Sequence, residues 1–383
     1  HSADMANTDH FAIVSETYPP EVNGVALTVQ SLELGLRSLG HRVEVIRPAQ
    51  SDATAAQTDH LLVRGAGLPR YPGLRFGLPS GRTLLQRWQV QRPRAIYVAT
   101  EGPLGWSAVR VANRLGIPAA TGFHTRFDDY VERYGAGWLR PAVFRWMRHF
   151  HNSAQATLVP TQELSDFLQA QGFEHVRLLR RAVDTQLFNP TRRRTALRQQ
   201  WGLADGAPAL IYVGRIAAEK NLSLAIRAFR TLQATVPAAR FIWVGDGPER
   251  QALAEANPDF VLCGVQRGEA LAEHFASGDL FVFPSLTETF GNVTLEAMAS
   301  GIATVAYHYG AAREHLLDGA HGASVVCGDE EAFIEAVGRL AADAERCLPL
   351  GRTARTAIEH LSPQSVSEHL AELLQSLPWR AAA

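Results

Sequence analysis

Short apolar runs rich in Val, Ile and Phe recur along this chain, and a helix-like stretch follows each. The first half carries FAIVSE (11–16), VEVIRP (43–48), AIYVAT (95–100) and ATLVP (156–160). The second half carries LIYVGR (210–215), FIWVGD (241–246), FVLCGV (260–265), LFVFPS (280–285), ATVAY (303–307) and ASVVC (323–327). Runs that are apolar at consecutive positions mark strands covered on both faces, as in parallel sheets. Between them lie stripes such as Leu222, Ile226, Phe229 and Leu232, spaced for one helix face. Strand–helix alternation of this kind predicts doubly wound α/β domains. At 383 residues the chain is long for one core and suits two. The polar, arginine-dense NPTRRRTALRQQ (189–200) separates the two series, so the first domain is expected to span 1–190. Tandem open α/β sheets are expected to hold a ligand in a cleft between them, at the carboxyl ends of the strands. The residues just after each run are therefore the candidates.

Composition narrows the class. With 46% apolar and 20% charged residues the chain reads as soluble and globular. No run approaches the roughly 20 apolar residues that span a bilayer. No basic-then-apolar signal sequence is seen, and the opening HSADMANTDH is set aside from the fold reading. The three cysteines (Cys263, Cys327, Cys347) are scattered, which predicts neither a disulfide framework nor a CxxC metal site and favours a cytoplasmic location. A net charge of −1 excludes a generic nucleic-acid binder. Residues 1–190 hold 20 basic against 16 acidic side chains, and residues 191–383 hold 17 against 22. The mildly basic first half suits an anionic surface.

Four stretches carry candidate chemistry. The first strand leads into ETYPPEVNGVALTVQ, where Gly24 sits at the expected helix start. A glycine there lets backbone N–H groups approach a phosphate, although turn glycines are common. In VGRIAAEKNL, Arg215 ends a strand and Lys220 precedes a helix. Lys220 is the only lysine among 37 basic side chains. A chain that otherwise uses arginine has little reason to place a lone lysine on a bland surface. Two cations in one strand-to-helix loop suit a pyrophosphate, with guanidinium as fork and ammonium as point charge. In FVFPSLTETFGNVTLEAMASG (281–301), Gly291, Asn292 and Val293 open a helix and form an anion-binding start. Glu288 lies in the loop and Glu296 one turn into the helix. Such carboxylates suit sugar hydroxyls, which donate to them. In PAATGFHTRFDDYVERYG (118–135), His124 follows an apolar run at a strand end. The adjacent Asp128 and Asp129 lack His or Cys company, and a solvated helix start explains them better than a metal.

VGRIAAEKNL, FVFPSLTETFGNVTLEAMASG, WVGDGPE (243–249) and GFHT together resemble the GT-B, retaining glycosyltransferases of family 4. The match runs from Phe11 through nearly the whole chain and is most specific in the second half. The resemblance implies two Rossmann-like domains facing across a cleft, with the second (191–364) holding a nucleotide sugar. A last helix (365–383) would cross back to the first domain. It implies that Arg215 and Lys220 neutralise the donor diphosphate and that Gly24 meets the phosphates. Glu288 would lie by the transferred sugar, Glu296 on the ribose hydroxyls, and His124 near the sugar's reacting face. Phe290, Gly291, Asn292 and Val293 would touch sugar and phosphate. Two features depart from the pattern: Ala182 replaces a usual glycine in RRAVDTQLFNP, and the first loop has one glycine where many relatives have two. FHTRFDDYVERYG and LPRYPGLRFGLPS (68–80) are similar to members that glycosylate lipids. In WLRPAVFRWMRHF (138–150), Leu139, Val143, Trp146, Met147 and Phe150 form one helix face, with Arg140, Arg145 and Arg148 off it. Such a helix can lie on an anionic membrane or face a core.

The expected reaction is metal-independent hexose transfer with retention, from GDP-mannose or next UDP-glucose, to a hydroxyl acceptor such as diacylglycerol or a phosphatidylinositol. No cofactor is expected. Base contacts are expected from backbone near Val244–Asp246 and Cys263–Gln266. The rival readings are a phosphorylase, an epimerase or a non-catalytic nucleotide-sugar sensor. The lone lysine argues against a pyridoxal-type phosphorylase, because it already serves the phosphate site. The intact cations and glutamates argue against a sensor.

Overall fold

The computed structural model describes residues 8–21, 23–50, 59–68, 71–124, 140–288 and 290–379. The chain forms two compact units, His1–Arg181 together with Pro363–Ala383, and Ala182–Ser362.

The first unit holds a seven-stranded sheet. Its strands are β1 (His10–Val14), β2 (Arg42–Pro48), β3 (His60–Val63), β6 (Ala95–Val98), β7 (Ala119–Gly122), β8 (Ala156–Val159) and β9 (Val176–Leu178). The order is β3-β2-β1-β6-β7-β8-β9, and every neighbouring pair is parallel. A separate antiparallel pair joins β4 (Gly65–Leu68) to β5 (Tyr71–Gly77). The helices are α1 (Gly24–Ser38), α2 (Gly81–Val90), α3 (Pro103–Leu115), α4 (Arg140–Asn152) and α5 (Gln162–Ala170). Phe11, Ala12, Ile13 and Val14 are all fully buried, as consecutive apolar residues on a doubly covered strand require. The C-terminal helix Pro363–Ser376 packs on α1 and buries Val366, Leu370 and Leu374.

The second unit repeats the plan with six parallel strands in the order β12-β11-β10-β13-β14-β15. They are β10 (Ala209–Val213), β11 (Arg240–Val244), β12 (Val261–Leu262), β13 (Leu280–Phe283), β14 (Ala303–Tyr307) and β15 (Gly322–Val325). Its helices are α6 (Thr195–Gln200), α7 (Leu222–Thr235), α8 (Arg250–Ala256), α9 (Gly268–Ser277), α10 (Asn292–Ala299), α11 (Gly310–His315), α12 (Glu330–Ala341) and α13 (Ala344–Ile358). The stripe read from sequence holds: Leu222, Phe229 and Leu232 are buried, and Ile226 packs beside them. In each sheet the chain winds outward from the first strand and then crosses to that strand's other side. The switch points lie between β1 and β6 and between β10 and β13. Loops leaving adjacent carboxyl ends diverge there and leave a crevice.

The division falls after residue 181, not 190. The arginines of 189–200 are not a linker. Arg193 and Arg198 both reach the Asp279 carboxylate at 3.0 Å, and Arg194 pairs with Glu273. Arg193 also donates to the Gly278 carbonyl and Arg198 to those of Ser277 and Ala207. Val183 and Phe188 belong to the second unit's core. Arginine density reflects a clamp over the end of α9. A buried Asp279 needs that compensation.

Candidate active site

The β10–β13 switch point brings together the two most specific sequence stretches. After β10 the chain turns at Gly214, and the Tyr212 hydroxyl holds the loop by donating to the Arg215 carbonyl at 2.8 Å. A short 3-10 turn, Ala218–Lys220, and a left-handed Asn221 (φ +58) lead into α7. After β13 the loop runs through Pro284 and Ser285 to Glu288, Phe290 and Gly291, and then into α10. The two loops are stitched together. Asn221 donates to the Pro284 carbonyl (3.2 Å) and Thr287 to the Glu219 carbonyl (3.2 Å). The Lys220 ammonium donates to the Glu288 carboxylate in a tight, partly buried ion pair. Ser285 donates to the same carboxylate at 3.1 Å.

This pairing modifies the expectation of two bare cations. Lys220 and Glu288 are 17% and 22% exposed and neutralise each other. Arg215 lies 3.4 Å from Glu219, but its side chain is 62% exposed, so that pair is weak. Glu219 was not singled out in the sequence, although its spacing of four from Arg215 was there to read. An entering anion would find an ammonium already positioned, with a carboxylate beside it.

Gly291 begins α10 with φ +86, a left-handed conformation that a side chain would strain. Asn292 is exposed, Val293 half-buried, and Phe290 buried. No side chain caps the start of α10, and its first turn holds no acid. Glu296, one turn in, has its carboxyl pushed up to about 7 by burial alone. Among the described residues its carboxylate makes no hydrogen bond or ion pair. Nearby, Gly245 donates to the Gly264 carbonyl and Gln266 to that of Cys263, so the two expected base-contact loops adjoin each other.

The first unit's carboxyl edge carries Gly24 and His124. Gly24 is the exposed first residue of α1, and a Cβ there would lie in ordinary contact, 3.7 Å from the Arg181 guanidinium. Nothing in the fold itself demands the glycine. Asn23 caps α1 through the Ala26 N–H. His124 follows β7, with Nε2 3.0 Å from the Tyr97 hydroxyl. Burial, then the Arg181 charge and His151, push its pKa down to about 3. The imidazole is therefore neutral at ordinary pH and acts as a hydrogen-bonding group, not a proton donor. Arg181 and Tyr97 escaped the sequence reading, because strand order brings them to His124.

Asp128 and Asp129 lie outside the described residues, as does Leu139. In α4, Met147 and Phe150 are buried and Val143 packs on the cluster around Met147, so most of the stripe faces the core. Trp146 departs from it: it is 41% exposed and stacks on Trp106 at 5.4 Å, with Arg145 exposed beside it. Among the described residues no helix is long and apolar enough to cross a membrane. No group of three or more His, Cys, Asp or Glu side chains is placed to hold a metal ion among them.

Two doubly wound parallel α/β units, one with a cation–carboxylate pair at its switch point, define an α/β protein whose crevices lie at the carboxyl ends of its strands. The comparisons place it more closely. Residues 22–187 match the model of Glycosyltransferase Family 4, and residues 207–343 that of Glycosyl transferases group 1. A "GDP-mannose-dependent alpha-mannosyltransferase" of Mycobacterium tuberculosis (strain CDC 1551 / Oshkosh) is 33% identical over 88% of this chain and 89% of its own. "Sulfoquinovosyl transferase SQD2" of Arabidopsis thaliana is 32% identical over 76% of this chain and 58% of its own. The fold matches "Anabaena Alr3699/HepE in complex with UDP", with a TM-score of 0.73 at 19% identity, covering 96% and 100% of the two chains. The chain belongs to glycosyltransferase family 4 and has the GT-B fold.

Proposed function

We propose that this glycosyltransferase moves a hexose, with mannose from GDP-mannose favoured over glucose from UDP-glucose, to a lipid hydroxyl. The single observation that carries the donor site is the meeting of Lys220 and Glu288 beside the uncapped start of α10. A diphosphate accepts the Lys220 ammonium, Arg215 and the N–H groups at 291–293. Glu296, half-buried and without a partner among the described residues, accepts ribose hydroxyls, and hydrogen bonds from them repay its burial. Glu288, freed from part of its hold on Lys220, faces the sugar. Gly24 and His124 are assigned to the donor's phosphate and sugar in the same reading. The GDP-mannose preference follows the mannosyltransferase relatives, and the lipid acceptor follows the sulfoquinovosyl and glucosyldiacylglycerol ones.

The bond from the anomeric carbon to the diphosphate oxygen breaks, and its electron pair stays on that oxygen. The acceptor oxygen bonds to the same face of the carbon, and the acceptor proton passes to the departing phosphate. Lys220 and Arg215 supply the positive charge for the leaving group, so no metal is needed. Such preorganised stabilisation is commonly the largest catalytic contribution. Exposed Trp146 and Arg145 suit peripheral contact with an anionic bilayer where the acceptor resides.

The test is transfer from GDP-mannose and UDP-glucose to diacylglycerol or phosphatidylinositol in vesicles, with and without EDTA, and product anomers assigned by NMR. The expected product is an α-mannoside formed undiminished in EDTA. Hydrolysis without transfer, or an inverted product, would overturn the reading.

A further inference from the structure

The loop that carries Glu288 rests on a second element that the sequence reading passed over. This is the turn from β14 into α11. Three contacts bind them. The Glu288 backbone N–H donates to the Tyr309 hydroxyl at 2.8 Å. The Ala311 N–H donates to the Phe290 carbonyl at 2.7 Å. Gly310 (φ +57) lies so close beneath that a Cβ there would sit 2.5 Å from the Phe290 carbonyl oxygen, so only glycine fits. Behind the loop, Phe283, Phe290, Thr294, Tyr307 and Tyr309 line a small recess with room for little more than one water molecule.

We infer that Tyr309 is a positioning residue for Glu288: its phenol fixes the backbone from which the carboxylate reaches Lys220 and the bound donor. The geometry has a direct rationale. The side chain of Glu288 is held by Ser285 and Lys220. A diphosphate claiming Lys220 removes the stronger of those holds. The Tyr309 contact is to backbone and does not compete with ligand, so it survives donor binding and keeps the carboxylate in register when its ion pair loosens. Rigid placement of a reacting group is worth large factors in rate, and an error near 1 Å is costly. Tyr309 itself need touch no substrate. The inference rests on the donor site proposed above.

Tyr309→Phe keeps the ring and removes the hydroxyl that accepts from the Glu288 N–H. Hydrogen exchange by NMR or mass spectrometry on the full chain should show the Glu288 amide exchanging about tenfold faster, as loss of one hydrogen bond implies. Amides of β14 should be unchanged, which certifies the fold. With donor and acceptor, kcat should fall about tenfold while the Kd for GDP stays within about twofold. In a Glu288→Ala background the same substitution should have no further effect, a result that a general stability role would not give. Unchanged exchange at Glu288 overturns the anchor. Faster exchange with unaltered kcat, or an equal loss in the Glu288→Ala background, overturns the positioning role. If the wild-type protein transfers no sugar, the proposed function fails instead, and hydrogen exchange alone decides whether Tyr309 holds the loop.

Discussion

The two sheets use the same switch-point layout and fill it differently. In the first unit, Glu16 leaves β1 and plugs the start of α3, the helix that follows the neighbouring strand β6. Its carboxylate takes the Thr100 hydroxyl and the N–H groups of Leu104 (2.9 Å) and Gly105 (3.1 Å). In the second unit, the helix after β13 begins with no side-chain cap, and the acid that could reach it, Glu288, is drawn aside to Lys220. One helix start is closed by the protein's own carboxylate, and the other has no side-chain cap. A helix N-terminus attracts negative charge in either case. In the proposed reading the second unit's open helix start takes the diphosphate, while the start of α3 is occupied by Glu16.

The largest expected effect breaks that contrast at its cation. Lys220→Ala should lower kcat/KM for transfer by about 100–1000-fold, the cost of removing one preorganised donor. It also leaves Glu288 as an unpaired negative charge facing the phosphates. Circular dichroism and thermal melting should show the fold retained. An activity within about threefold of wild type would remove Lys220 from the site.

Glu16 should behave in the opposite way, through stability. Burial, outweighing its hydrogen bonds, pushes its carboxyl up to about 7. A folded pKa above the unfolded value near 4.5 means that the folded state holds the proton more tightly. Glu16 therefore favours folding most below pH 4.5, and that contribution is lost as pH rises through 7. Glu16→Gln should flatten this fall in urea-unfolding free energy between pH 4.5 and 7, and GDP affinity should be unchanged. A pH profile identical to wild type would show that the plug does not titrate there.

The same sign applies to Glu296, but with a ligand readout. Its pKa near 7 leaves it partly protonated at neutral pH, and hydroxyl donors favour the ionised form. Donor KM should improve by several-fold from pH 6 to pH 8, and Glu296→Gln should abolish that slope. A slope that persists in the variant would assign it to another group. Smallest of all, Arg215→Ala should cost about twofold in kcat/KM, since its guanidinium is mostly in water and loosely paired. A loss matching that of Lys220→Ala would make the two cations equal partners.

Much of this was legible beforehand, for local reasons. Strand–helix alternation is a short-range pattern, and the core runs from Phe11 and Leu210 became central strands. Lys220 stood out by composition, and the start of α10 by its glycine. What escaped depends on strand order. Lys220 meets Glu288 because β10 lies beside β13, and Glu16 meets Leu104 because β1 lies beside β6. No periodicity encodes those neighbours. The stretch 189–200 misled because a polar, arginine-dense linker and an arginine clamp on Asp279 share one composition. The buried part of the α4 stripe was readable as core, but Trp146 could be placed only once Trp106 was known to stack on it.

The central claim, that the second unit's switch point is where an anionic nucleotide binds, is tested most directly by titration calorimetry with GDP. Wild-type protein should bind GDP at least tenfold more tightly than Lys220→Ala, and the difference should shrink as salt is raised. Equal affinities for the two proteins would place the diphosphate elsewhere and contradict the account.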